Sequence, residues 1–132
     1  MSVSTRYKEL TALTLVFITT CSSTLLASTA EYEDAIAQLA KASYEHMQVA
    51  YSCRSVVWAR HLVEARIATE NALRATGLPT AMAFKSAEEI AVSAAAASKN
   101  RPMTTISECT SKLATTRKAV LRWRQLALSA SR

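Results

Sequence analysis

From Glu31 onward, apolar residues recur every three or four positions. The first stripe runs Tyr32, Ala35, Ile36, Leu39, Ser43, Met47, Ala50 and Tyr51, which is the spacing of one buried helix face. Beyond Tyr51-Ser52-Cys53 the stripe changes face, to Val56, Trp58, Leu62, Ala65, Thr69, Ala72 and Leu73. One helix over 31–76 would be about 67 Å long. A bend at the change of face is therefore expected, giving helices over 31–51 and 54–76. Thr76-Gly77-Leu78-Pro79-Thr80 contains the only Gly and one of the two Pro residues. It reads as a helix stop, a turn and a restart, because Gly past a helix end takes the left-handed closing conformation and Pro prevents continuation.

An Ala-rich third helix follows, about 80–98, marked by Ser86-Ala87-Glu88-Glu89 as a capping box, although Thr80 could start it about a turn and a half earlier. Asn100-Arg101-Pro102 is a weaker break. Thr105-Ile106-Ser107-Glu108 repeats the box at the start of a last helix, 105–129, which carries Ile106, Cys109, Leu113, Val120, Leu121, Trp123 and Leu128. Ser28-Thr29-Ala30-Glu31 has the same form ahead of the first helix, with Glu33 and Asp34 adding negative charge there. The prediction is an all-α fold, an antiparallel bundle of three to four helices.

The first thirty residues follow a different pattern. Arg6 and Lys8 precede a short apolar run through Leu13, Leu15, Val16, Phe17 and Ile18, and the run ends in small residues at Ser28-Thr29-Ala30. This is the layout of a secretory signal peptide cleaved after Ala30, leaving a single domain over 31–132. The apolar run falls short of a membrane span. Ile18-Thr19-Thr20-Cys21 offers a second reading as a lipoprotein box, with Thr20 where small residues are usual; Cys21 would then carry a lipid anchor.

Export changes the reading of the cysteines. Of Cys21, Cys53 and Cys109, two remain after cleavage, and in an oxidising compartment two cysteines in a small domain pair. Cys53 lies 24 residues before Gly77 and Cys109 lies 30 after Pro79. Folding at the turn thus brings the sulfurs to similar heights. At 132 residues and 14.3 kDa the core is of modest size, and the staple adds to its stability.

The net charge is +6, and removing Arg6, Lys8 and Glu9 with the leader leaves 14 cations against 9 anions, or +5. Such a charge is compatible with an acidic protein, an anionic membrane surface or nucleic acid and does not choose among them. The last helix is the most basic stretch, with Arg117, Lys118, Arg122 and Arg124 flanking Trp123. Arg and Trp are the residue types that most often dominate interface energy, so these five are the candidate contact for a protein partner, an acidic one by charge. Cations set against the helix dipole, with Trp123 packed in the bundle, are the plainer account of the same residues. Nucleic acid is not expected as the partner of an exported chain, and membrane contact is expected only through a retained leader or a lipid on Cys21.

Catalytic and cofactor signals are weak. His61 with Glu64 gives two ligands at helical spacing and His46 stands apart, fewer than a zinc site requires. No Gly-x-Ser-x-Gly elbow or Gly-rich phosphate loop occurs. Glu64, Glu70, Glu88 and Glu89 are expected on solvated faces, the first two beside Arg60, Arg66 and Arg74. The expected function is therefore a non-enzymatic exported protein that binds a partner protein, of the inhibitor or immunity type, with no cofactor and no metal. The alternative is a carrier of a small apolar ligand or haem in a bundle lined by Tyr44, Met47 and Trp58, with His46 and Tyr51 as further haem candidates. Lipid anchoring through Cys21 is the third.

Overall fold

The computed structural model describes the backbone of residues 6–132 and the side chains of residues 29–132. Among the described residues there are four α-helices packed against one another and no strand: α1 (Arg6–Ser52), α2 (Arg60–Ala75), α3 (Thr80–Ser98) and α4 (Ile106–Ala130). Backbone apart, the expected leader and the lipid-box Cys21 lie outside the described residues. No helix among the described residues is long and apolar enough to cross a membrane.

Helices α3 and α4 follow the expected 80–98 and 105–129 within a residue at both ends, and of the four helix starts two are within a residue. Two do not. Because no Gly or Pro precedes Gly77, α1 passes straight through Ser28-Thr29-Ala30-Glu31 instead of starting there. It stops at Ser52, whose carbonyl accepts from Met103 N at 2.9 Å and whose neighbour Cys53 is bonded to Cys109. Helix α2 begins six residues later than the expected 54. Cys53 O accepts from both Val56 N and Val57 N, at 3.0 and 2.9 Å, and this double turn carries Val57 into the core. Trp58, expected in the buried stripe, is instead 86% exposed. The Ser86 box starts no helix either. Good helix formers reach back to Thr80 behind Pro79, which holds the N-cap position. Thr105 does cap α4, its side chain accepting from Glu108 N at 3.3 Å.

Residue contacts set the directions of the helices. Tyr32 Oη donates to Thr76 O at 2.8 Å, and Arg66 on α2 reaches Glu88 on α3 at 2.6 Å. The Cys53–Cys109 bond and a 2.7 Å contact from His46 to Thr116 run α4 back along α1. Successive helices therefore alternate in direction. Helix α1 packs against all three others, whereas α3 and α4 do not meet.

Small residues let these backbones approach closely. Helix α3 buries Ala83, Ala87, Ala91, Ala94 and Ser98 along one stripe, and α2 buries Ala65, Thr69 and Ala72. Toward the disulfide end, Met47, Ala50, Val57, Leu113 and the cystine form one apolar cluster; toward the Gly77 turn, Leu39, Ala42, Ala72 and Val120 form a second. Between them lie Ser43, His46 and Thr69, polar and buried. Thr69 returns its hydroxyl proton to Ala65 O at 2.9 Å, which removes the cost of burying it. Ser43 Oγ has no hydrogen-bond partner among the described residues.

Gly77 closes α2 with φ +88°, its N–H donating to Arg74 O at 3.0 Å. A Cβ placed there meets nothing within 4 Å, so the left-handed backbone alone sets the cost of a side chain. Gly77→Ala is expected to lower unfolding free energy by about 1–2 kcal/mol, read from urea midpoints at constant slope. A stability equal to wild type would show that the turn relaxes out of this conformation.

Candidate functional site

Helices α2 and α4 run parallel and stand slightly apart, and α1 closes the gap from beneath. The result is a groove of about 490 Å³. Ile67, Leu113, Val120 and Leu121 give it apolar walls, His46 comes from α1, and His61, Glu64 and Asn71 come from α2. Arg117 and Arg124 complete it from α4.

Helical geometry explains which of the expected contact residues meet here. Positions 117, 121 and 124 fall on one face of α4, whereas 118 and 122 are each turned about 100° from 117 and 121. Arg117 and Arg124 therefore line the groove about 10 Å apart along the axis. Lys118 and Arg122 are exposed outside it. Trp123 packs instead on the cluster of Leu39, Ala42, Ala72 and Val120, with the Arg122 guanidinium 5.5 Å from its ring centre. The five cation and aromatic positions are thus split over three environments. Helix α4 has no basic residue in its last turn, so complementing the helix dipole does not account for its cations.

The charges of the groove are unevenly matched. Glu64 is held by Arg60 Nε and His61 Nδ1, each at 3.3 Å. Arg66, expected beside Glu70, crosses to Glu88 and covers the Phe84 ring at 4.8 Å, so Glu88 is paired across two helices and not simply solvated. Among the described residues no carboxylate reaches Arg117 or Arg124. Arg124 Nε is buried and has no hydrogen-bond partner there. A buried donor without a partner is costly.

His46 is buried, 5% exposed. Thr116 Oγ1 lies 2.7 Å from His46 Nδ1 and 2.9 Å from Lys112 O, and the tautomer of the ring sets which of the two takes the hydroxyl proton. Burial, then Arg117, then His61 hold this imidazole below the usual histidine value of 6.5. The unfolded chain therefore takes up the proton first. Stability is full above about pH 6.5 and falls as the pH drops toward the folded-state value, by at most about 1.4 kcal/mol per pH unit. His46→Gln is expected to flatten that slope in urea titrations between pH 7 and 5; an unchanged slope would assign the acid sensitivity to other groups.

Thr116 and His46 are a hydroxyl–imidazole pair, but Thr116 does not line the groove. No carboxylate among the described residues is hydrogen-bonded to the His46 ring, so the pair lacks the orienting third group of an activated nucleophile. Among the described residues no three His, Cys, Asp or Glu side chains come together as metal ligands. Of the residues named for a ligand carrier, Met47 is buried in the apolar cluster with Tyr44 and Tyr51 packed against it, while Trp58 lies outside the bundle. The groove combines apolar walls with two guanidinium groups that no carboxylate among the described residues reaches. No protein family, curated protein or solved structure matches the chain. The reading therefore rests on the geometry of the groove.

Sequence reasoning did not anticipate the contributions of His46, Ile67 and Asn71. The signal for His46 was its place at +3 from Ser43 on the buried stripe. For Ile67 it was an apolar residue off the Ala65-Thr69-Ala72 face, which marks a second apolar face on α2.

Proposed function

We propose that the protein acts by binding another protein, and that the α2–α4 groove receives an acidic amphipathic segment of that partner. Arg117 and Arg124, unpaired and flanking Leu121, carry this reading. Carboxylates two helical turns apart on the incoming segment would meet the two guanidinium groups, with an apolar residue between them against Leu121 and Ile67. The Cys53–Cys109 bond fits a chain that works in an oxidising compartment, outside the cytoplasm. An inhibitor or immunity-type role agrees with a small stapled domain that presents a fixed recognition surface.

The test is the complex isolated from the native host. It is expected to be lost in R117E/R124E and to persist in K118E/R122E, whose charges lie outside the groove. Loss in both alike would make the interaction one of net charge and not of the groove.

A further inference from the structure

The end of the bundle that holds the disulfide has a surface independent of the groove. Its first connection, 53–59, is tied to α4 by the cystine, and its second, 99–105, is tied to the end of α1 by the bond from Met103 N to Ser52 O. Within the first connection Val56 and Val57 turn inward, yet Trp58 stands 86% exposed. It does not dangle. Val56 N and Val57 N are anchored on Cys53 O, and Trp58 O accepts from His61 N at 3.0 Å. Ile106, 65% exposed, opens α4 at the same end.

The unpaired charges at this end are cationic. Glu64 and Glu108 are each occupied by a cation of their own helix, Arg60 and Lys112. Arg54, Lys99 and Arg101 are exposed, and none meets a carboxylate among the described residues. An indole on a fixed, convex tip with unpaired cations beside it suits a flat surface whose outer layer is anionic and whose next layer is apolar. Tryptophan partitions to that boundary, and cations near it are drawn to anionic headgroups.

We propose that this end of the bundle docks on an anionic lipid surface, with the Trp58 indole at the headgroup boundary and Arg54, Lys99 and Arg101 on the lipid phosphates. This contact requires neither the leader nor a lipid on Cys21. It also leaves the α2–α4 groove facing sideways from the membrane, free for its own ligand.

The test uses the full chain carrying Trp123→Phe, which makes Trp58 the only indole of the two. With phosphatidylglycerol vesicles its emission is expected to shift to shorter wavelength and to be quenched by brominated acyl chains; phosphatidylcholine vesicles are expected to do neither. R54Q/R101Q should weaken partitioning about thirtyfold, from two cations worth a factor of about five each. Trp58→Ala, read by vesicle flotation, should weaken it about tenfold, and R117Q/R124Q, which removes the same charge away from this end, should weaken it several-fold less than R54Q/R101Q. Unshifted emission with phosphatidylglycerol, equal binding to both vesicles, or a loss in R117Q/R124Q as large as in R54Q/R101Q would each overturn the proposal.

Discussion

Cys53→Ser is expected to lower the melting temperature by about 15–30 °C. The bond spans 56 residues of sequence, and closing a loop of that length removes about 4 kcal/mol of unfolded-chain entropy. In a domain of roughly 100 residues each kcal/mol moves the midpoint by about 4–8 °C. Total stability at this size is about 5–15 kcal/mol, so the bond supplies a large share. The small-residue core sharpens the dependence, since its largest fully buried side chains are only Leu39, Met47 and Val120. Both sulfurs are themselves fully buried beside Met47 and Leu113. Melting of the oxidised and reduced wild-type chain, which keeps the sulfur atoms in both states, separates linkage from packing. Equal midpoints with and without reductant would mean that helix packing alone holds the bundle.

The second large effect belongs to the groove. R117E/R124E is expected to weaken the partner complex about a thousandfold or more, because hot-spot arginines contribute about 2 kcal/mol or more each and the reversed charges repel an acidic segment. The same change should leave the melting temperature within a few degrees, since no ion pair among the described residues depends on either side chain. Relief of the Arg117 influence on His46 should also raise the histidine's proton affinity. An NMR titration of His46 in the double variant therefore checks that the guanidinium lies where the groove requires it. Binding unaffected by the reversal would place the partner elsewhere, with the exposed pair Lys118 and Arg122 as the next candidates.

Much of the architecture was legible in one sequence because its punctuation is sparse. With a single Gly, the α2–α3 turn could be placed at Gly77, and the matched distances to Cys53 and Cys109 then implied the bridge. The α1–α2 junction was harder to place, since no breaker marks it. What ends α1 is long-range, a bond from Met103 to Ser52 and the tether to Cys109, and neither can be read from local propensity. Trp58 was misplaced for the same reason: periodicity assigned it to a helix that begins only at Arg60. For the groove, composition identified the basic helix but not its facing. Arg117 and Arg124 differ from Lys118 and Arg122 by a rotation about the helix axis, and only the packing of α2 alongside α4 decides which pair has apolar neighbours.

A photo-crosslinking amino acid at position 121 tests the groove most directly. Leu121 is half exposed between Arg117 and Arg124, while Val92 offers a more exposed apolar site on α3. In the native host the probe at 121 is expected to capture one protein through a peptide rich in Asp and Glu, and the probe at 92 is expected to capture none. Capture at 92 with none at 121, or a captured peptide without acidic residues, would contradict the groove as the binding face.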